Sequence, residues 1–415
     1  MADPNDKTPQ LASLIMAGDQ QTEAERITDT IFMVKDVSNA YLLTTSDGDL
    51  LVNAGFLGNG ERNKNLFAPQ RTGPLRRIIL TQSHADHYGA LPEQLEEGTE
   101  VIAGAGFTET ADYFERLGPF LNRRSGKLWT SITRRSGPPP KPPTVIPDRE
   151  VEDRYSFEQG GRRVEIVKTP GGETLCSVFV WLPDERVVFT GNLFGPVWRA
   201  MPNLVTMRGD RPRLARAYLR SVEAVRDLNA EMVITGHGEP IVGADRIRAD
   251  LDAMHAAVSY IERETIAGMN EGKTVQRLMS EVRLPEDIRI GEFHGKVPWV
   301  VRAIWEENAG WFHFDSTTSL YGVPKSSVDA DFTELAGGAS VLAQRANQYL
   351  AQNQPLKALH LLDVALGAEP HNREGLVAKK TALQQLLDAS ASANLSETMW
   401  LKSEIALVDS VLEQP

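Results

Sequence analysis

The chain has 415 residues, of which 41% are hydrophobic and 24% are charged. This length is enough for two or three domains with a large buried core, and the composition is ordinary for a globular protein. The formal net charge of −12 argues against a general nucleic-acid binder, although local positive charge can still dominate a pocket.

The ends of the chain and its cysteine content indicate the compartment. The N-terminal residues lack a basic segment followed by a long apolar run, and no run of about 18 apolar residues occurs anywhere, so we expect neither a signal peptide nor a membrane span. Cys176 is the only cysteine, which excludes an intrachain disulfide. These features predict a cytoplasmic protein, and the polar residues 1–25 are expected to form a loose N-terminal arm.

Short apolar, β-prone segments predict a succession of strands from residue 27 onward. Asp47-Gly48 is a strong hairpin signal between two of them. The predicted strands are residues 31–34, 40–43, 50–52, 78–80, 163–167, 177–182, 186–189 and 232–235. Residues 212–228 and 244–271 have helical patterns, and residues 91–130 are predicted to be mixed helix and loop.

Two later segments differ in character from this α/β pattern. The proline-rich residues 134–143 predict an exposed polyproline connection, with a lid or a partner-contacting arm as the alternative. From about residue 335 the chain becomes helical, and residues 346–365 resemble one tetratricopeptide-type repeat. A lone helical pair rarely stabilises itself, so we expect it to pack on a neighbour or on a second subunit.

The sequence Thr-Gln-Ser-His-Ala-Asp-His, residues 81–87, directly follows a predicted buried strand. A turn at a strand end can aim His84, Asp86 and His87 at one metal ion. Imidazole and carboxylate together suit zinc, manganese or iron. The alternative interpretation is a polar turn whose histidines are satisfied by the protein.

Three further residues lie beyond the ends of apolar strands, where an α/β sandwich collects its site. Glu173 follows the strand predicted at residues 163–167, Asn192 follows residues 186–189, and His237 follows residues 232–235. Singly each is weak, since His237 could belong to a turn and Glu173 could cap a helix. Together with residues 84–87 they predict one metal centre.

Residues 81–87 resemble the metallo-β-lactamase superfamily motif His-x-His-x-Asp-His, with Gln82 in place of the first histidine. The strands before it resemble the opening β-meander of that fold, which usually ends in Asp-x-Gly, and Asn53 stands in place of its aspartate. The resemblance implies an α/β fold, an αββα sandwich followed by an α-helical domain.

Later motifs resemble the alkyl sulfatase branch of this superfamily. Residues 170–173 resemble Pro-Gly-Thr-Glu, whose glutamate is a metal ligand, and residues 203–209 resemble Asn-Leu-x-Thr-Leu-Arg-Gly, whose arginine helps to hold sulfate. The helical segment resembles the dimerisation domain of that branch. The resemblance therefore implies an arm at residues 1–25, a catalytic domain at 26–330 and a helical dimerisation domain at 335–415.

The resemblance implies two sets of metal ligands. It also implies a position that bridges them, where the family has a carboxylate and this chain has an amide. They are a first ligand set of Gln82, His84 and Glu173, a second ligand set of Asp86, His87 and His237, and Asn192 in the bridging position. The first set has lost an imidazole and the bridge has lost its charge. We expect one firmly held cation, zinc in the first place with manganese or iron as alternatives, and a second that is weak or absent.

The implied reaction is metal-assisted hydrolysis by activated water. The predicted catalytic residues are Asp86 and His294, the latter as a general acid or only as a polar group on the pocket wall. Arg208, with Asn203, would hold a sulfate or carboxylate, or Arg208 would form a structural ion pair. We expect a homodimeric hydrolase of a small sulfate ester or related anionic ester. The alternatives are a metal-poor binding relative, a neutral-ester or lactone hydrolase, and redox chemistry on iron.

Overall fold

The computed structural model describes residues 10–133 and 141–414. The described residues form fifteen α-helices and thirteen β-strands, and they divide into two compact units, residues 10–308 and residues 309–414. The sequence had placed the change of domain between residues 330 and 335. Residues 1–9 and 134–140, which carry part of the predicted arm and most of the proline-rich segment, lie outside the described residues.

The first unit contains two sheets. The first sheet has seven strands in chain order, antiparallel up to β4 and parallel from β4 to β7. Its strands are β1 (Glu25–Arg26), β2 (Ile31–Val34), β3 (Ala40–Leu43), β4 (Asp49–Val52), β5 (Leu75–Leu80), β6 (Glu100–Gly104) and β7 (Arg149–Val151). The second sheet has six strands, antiparallel except for the neighbouring pair β11 and β12. They are β8 (Arg154–Gln159), β9 (Arg162–Lys168), β10 (Val178–Leu182), β11 (Val187–Gly191), β12 (Met232–Thr235) and β13 (Ile241–Val242).

Side chains from both sheets form one shared core. Ile79 of β5 belongs to the same buried cluster as Ile166 of β9 and Phe189 of β11, so the sheets pack face to face. Ile78 and Leu80 point the other way, into a cluster with residues of the covering helices. Because both faces of the central strands are covered, these strands are continuous apolar runs rather than alternating ones. The expected αββα sandwich is confirmed.

Helices cover the outer faces of the sandwich. The longest, α8, packs against β12 and β13 and lies beside α7. The helices of this unit are α1 (Gln10–Met16), α2 (Gly60–Phe67), α3 (Ala85–Tyr88), α4 (Leu91–Gln94), α5 (Phe107–Arg116), α6 (Gly118–Thr133), α7 (Ala215–Asp227), α8 (Ala244–Asn270), α9 (Val275–Glu281) and α10 (Val297–Ala309), the last ending at the unit boundary.

The second unit is helical, as expected. Its helices are α11 (Asp329–Ala336), α12 (Ala339–Ala351), α13 (Pro355–Ala368), α14 (Arg373–Ser390) and α15 (Leu395–Leu412). Ala346 of α12, Ala358 of α13 and Ala382 of α14 are all fully buried in one cluster, because small side chains let the helices approach closely. The predicted helical pair therefore packs on a neighbour within its own chain.

Two expectations about the first unit were wrong. Residues 10–16 are not part of a loose arm: they form α1, whose Leu11, Ala12 and Ile15 are buried, since these apolar residues share one helical face. Residues 91–130 contain a strand, β6, that was not predicted. None of the described helices is long and apolar enough to cross a membrane.

Candidate active site

The loop that carries residues 81–87 leaves the end of β5 and enters α3. Asn53, at the end of the adjacent parallel strand β4, holds this loop in place. Its side-chain oxygen accepts hydrogen bonds from the Thr81 backbone N–H at 2.9 Å and from the Thr81 hydroxyl at 3.0 Å. Asn53 has a φ of 60°, a left-handed conformation that asparagine tolerates better than most residues. The amide therefore serves as a structural anchor.

The second ligand set comes together. One ligand atom from each of Asp86, His87 and His237 lies within 4.8 Å of the other two. His237 arrives from the second sheet, just after β12, where Gly236 lets the chain pass close to the site. A Cβ on Gly236 would lie 2.3 Å from Asn192 Oδ1 and 2.8 Å from His87 Cε1, so only glycine fits there.

Ser38 had not been singled out from the sequence, and it lies at the focus of this set. Its Oγ is 3.1 Å from His87 Nε2 and 3.3 Å from His237 Nε2, and its hydroxyl donates to Asp86. Ser38 is fully buried. An isolated serine in a loop gives no sequence signal, so only the fold reveals this contact.

The ionisation of the second ligand set suits a cation. Burial lowers the pKa of His87 to about 3 and also lowers the pKa of His237, so both imidazoles are neutral at pH 7. Loss of solvent alone would raise the pKa of Asp86, but the nearby histidines and the Ser38 hydroxyl hold it below its usual range. Neutral imidazole and ionised carboxylate are the forms that bind metals. Among the described residues, Asp86 has no lysine or arginine partner.

The ligand atoms of this set converge on one point. Nε2 of His87 and Nε2 of His237 both contact the Ser38 hydroxyl, and His87 Nε2 lies 3.7 Å from Asp86 Oδ2. Beside the set, the buried Oδ1 of Asn192 has no hydrogen-bond partner in the described part of the chain, which costs about 1–3 kcal/mol and which a cation could offset. Two imidazoles, a carboxylate and an amide oxygen fit zinc, manganese or iron. The residues of the second ligand set therefore fit the implied metal.

The first ligand set is arranged differently. His84 Nδ1 is 2.8 Å from Gln82 Nε2 and 3.4 Å from Glu173 Oε1, and His84 Nε2 is 3.1 Å from Asp210 Oδ2. Glu173 also pairs with Arg213, whose Nη2 is 2.8 Å away. Within the described part of the chain, these side chains do not form a second group of three ligand atoms within 4.8 Å of one another.

Besides Ser38, Asp210 and Arg213 are site residues that the sequence analysis did not identify. Both residues follow Gly209, the last residue of the segment that resembles the sulfatase motif. The only sign of them in the sequence is two further charged residues in the same loop. Loss of solvent alone would raise the pKa of Asp210, but the contact with His84 and the charge of Arg213 lower it below its usual range. Burial raises the pKa of Glu173, with Arg213 opposing the shift.

The predicted substrate residues border the same cluster. Asn203 Nδ2 is 3.3 Å from His294 Nε2, and the Asn203 carbonyl accepts a hydrogen bond from Arg213 at 2.5 Å. Arg208 Nη2 is 3.7 Å from Asp210 Oδ2, and 32% of the Arg208 side chain is exposed. Loss of solvent around the ring, reinforced by the two arginines, lowers the pKa of His294 to about 3. His294 is therefore neutral at pH 7, which disfavours a general-acid role.

An apolar wall adjoins these charges. The ring of Phe114, on α5, lies 5.1 Å from the ring of His84, and the guanidinium of Arg211 lies 4.7 Å above the ring of Tyr113. Both aromatic residues are partly exposed. This side of the site thus combines cationic side chains with aromatic ones.

Comparison with known families agrees with this geometry. The sequence model of the metallo-beta-lactamase superfamily matches residues 33–237, and the model for alkyl sulfatase dimerisation matches residues 274–404. The chain therefore contains a metallo-beta-lactamase superfamily domain followed by an alkyl sulfatase dimerisation domain. Asp86, His87 and His237 lie within the first matched region.

The known proteins to which the chain is similar are distant in sequence. The chain is 23% identical over 395 residues to an alkyl/aryl-sulfatase of Saccharomyces cerevisiae. The aligned region covers 87% of this chain and 60% of the yeast protein. The chain is 26% identical over 304 residues to a linear primary-alkylsulfatase of Pseudomonas sp., with 67% and 56% covered. The solved structure of a stereoselective inverting sec-alkylsulfatase from Pseudomonas sp. has the same fold, with 21% identity, a TM-score of 0.81, and 93% and 65% covered. The chain thus spans less than two thirds of the length of these relatives.

Proposed function

We propose that this superfamily member is a metal-dependent hydrolase of a sulfate ester or a related anionic ester with an apolar remainder. The observation that carries the proposal is the second ligand set, Asp86, His87 and His237, which has one negative charge and no protein cation to balance it. Alkylsulfatases among the relatives support the substrate class. We propose zinc as the cation, with manganese or iron as alternatives, and one firmly held ion per chain.

The residues around the cation divide the work of the reaction. A bound divalent cation would supply water whose pKa falls from roughly 15.7 to about 7. Asp86, which is ionised at neutral pH and fixed by the Ser38 hydroxyl, is the available proton acceptor. Arg208 would hold the anionic group through paired hydrogen bonds, which its planar guanidinium suits. Neutral His294 would orient the amide of Asn203 toward the same group.

The surroundings of Arg208 favour a substrate with both a charge and an apolar part. The Arg208 side chain is partly exposed and offers a local positive charge in a chain whose net charge is −12. Phe114, which packs beside the ring of His84, and Tyr113, which lies beneath the guanidinium of Arg211, supply apolar surface next to the same cluster. A medium-chain alkyl sulfate combines these two properties.

The test compares turnover of medium-chain alkyl sulfates with that of matched neutral esters. A charge-assisted hydrogen bond is worth roughly 1.5–3 kcal/mol. Arg208→Ala should therefore lower catalytic efficiency on the sulfates by about ten- to a hundredfold, at ~1.4 kcal/mol per decade. Arg208→Lys should recover only part of the loss, because an ammonium group cannot reproduce the guanidinium fork.

Arg216→Ala is the matched control, since it removes an arginine whose side chain is 69% exposed and which pairs with Glu262 on α8. It should leave the efficiency on alkyl sulfates within about twofold of the wild type. A wild type that prefers neutral esters, with Arg208→Ala unaffected, would replace this proposal by a neutral-ester or lactone hydrolase. Protein purified without chelator that holds no metal would favour the metal-poor binding relative.

We also propose that the chain acts as a homodimer through its helical unit. The dimerisation match supports this assignment, and Leu335 and Leu356 of that unit are 84% and 64% exposed in the single chain. Large exposed apolar side chains in one helical unit are typical of an interaction surface. The cytoplasmic location stays a prediction from the sequence, which cell fractionation would test.

A further inference from the structure

The half of the site around the first ligand set is balanced in charge without a metal ion. Its two carboxylates, on Glu173 and Asp210, belong to side chains that are only 8% and 7% exposed. Arg213 Nη2 lies 2.8 Å from Glu173 Oε1 and 3.7 Å from Asp210 Oδ2, and Arg208 Nη2 lies 3.7 Å from Asp210 Oδ2. Two negative charges therefore face two positive charges, and no negative charge is left to attract a divalent cation.

The hydrogen bonds of His84 lead to the same result. The Gln82 amide oxygen accepts from the Asn192 backbone N–H at 3.1 Å, which turns the amide nitrogen toward His84 Nδ1 at 2.8 Å. His84 Nδ1 thus accepts from Gln82, and its Nε2–H donates to Asp210 at 3.1 Å. Both ring nitrogens of His84 are therefore occupied by protein groups. By contrast, Nε2 of His87 and Nε2 of His237 converge on the Ser38 hydroxyl beside the Asp86 carboxylate.

Arg213 is held firmly in this position. Its side chain is 6% exposed, and besides the two carboxylates it donates to the Asn203 carbonyl at 2.5 Å. Removing one member of a buried ion pair is costly because it leaves the other charge uncompensated. A fixed guanidinium also differs from a metal ion, because it neither dissociates nor yields to a chelator.

We propose that Arg213, with Asp210, takes the place of a metal ion beside Glu173 and His84, so that the centre holds a single cation. The inference rests on the proposed metal site at the second ligand set and specifies what the other half of the pocket contains. Arg213 is thus a positioning residue: it neutralises Glu173 and fixes the backbone at Asn203.

The test measures metal per chain by plasma mass spectrometry after equilibration with excess Zn²⁺ and removal of free ion. The wild type should hold one equivalent. Arg213→Met should gain a second, because the carboxylates of Glu173 and Asp210 would then face only one guanidinium, that of Arg208, and one negative charge beside His84 would be unbalanced. Arg213→Lys, which keeps the charge, should stay near one, and so should Gln82→His, because Arg213 still occupies the position that a second ion would need.

Arg162→Met is the control for removing a buried arginine. Arg162 is 9% exposed and pairs with Glu185 at 2.6 Å. This variant should lose stability without gaining metal. Glu173→Gln provides a readout that does not depend on the folding of any Arg213 variant: it should keep one equivalent, because Glu173 binds the arginine rather than an ion.

Two results would overturn the role of Arg213. One is a wild type with two equivalents, one of which disappears in Glu173→Gln. The other is a folded Arg213→Met, checked by circular dichroism, that stays at the wild-type metal content. Failure of the proposed function can be distinguished from failure of this inference. The single metal equivalent of the wild type should vanish in His87→Ala, and its retention there would refute the second ligand set. A gain of metal in Arg213→Met would still support the role of Arg213.

Discussion

The ionisation of His294 determines whether this side chain can donate a proton at neutral pH, and it can be measured as a change in stability. Its pKa is about 3 in the folded chain, against about 6.5 in an unfolded chain. The unfolded state therefore binds more protons between these values. The stability contributed by neutral His294 is complete above pH 6.5 and is lost as the pH falls from 6.5 toward 3.

The size of the effect follows from the same numbers. At pH 5.5, one unit below the unfolded pKa, protonation of the unfolded chain lowers the free energy of unfolding by about 1.4 kcal/mol relative to pH 7.5. This value changes little as long as the folded pKa of His294 lies well below 5.5. Above pH 7 the contribution of the group no longer depends on pH.

The assay is urea unfolding followed by tryptophan fluorescence at pH 7.5 and pH 5.5, with chelator present in every sample. The difference in unfolding free energy between the two pH values should be about 1.4 kcal/mol smaller in His294→Asn than in the wild type. Any loss of packing in the variant affects both pH values and cancels in the difference. Equal differences in the two proteins would refute the low pKa and restore His294 as a general acid.

Two further predictions concern the loop anchor and the assembly. Asn53→Ala removes the acceptor of two Thr81 hydrogen bonds at a residue with a φ of 60°, so it should lower the free energy of unfolding by about 2–3 kcal/mol. Asn53→Asp keeps an acceptor oxygen and should retain most of that stability. A free energy of urea unfolding equal to the wild type in Asn53→Ala would contradict the anchoring role. The full-length chain should sediment as a dimer at micromolar concentration, and a monomer at that concentration would contradict the proposed role of the helical unit.

The strands were predictable where burial is strongest. Residues 31–34 and 40–43 were predicted to the residue, because every side chain in β2 and β3 is buried and apolar runs of that length are typical of interior strands. β6 escaped because its apolar run is too short to be told from a buried helical segment by periodicity. In α1, polar neighbours hid the apolar face formed by Leu11 and Ile15.

The candidate site was predictable where it depends on strand ends. The loops after β5 in the first sheet and after β12 in the second bring Asp86, His87 and His237 together. Their position after strands marked them as candidate ligands, and the family resemblance grouped them into one set. Asp210 and Arg213 lie in a loop without regular structure. Their partners, His84 and Glu173, are far away in sequence, so only the folded chain reveals which charges face each other.

Gln82, which departs from the family motif, is linked by hydrogen bonds to the charged side chains around the first ligand set. Gln82 in place of an imidazole is useful only because its amide satisfies both His84 and the Asn192 backbone. Those bonds turn His84 toward Asp210, and Asp210 in turn helps to hold the guanidinium that neutralises Glu173. Reverting Gln82 alone would restore a ligand but leave Arg213 in place. Restoring a second cation therefore requires removal of the protein-borne charge, and return of the imidazole alone is not enough.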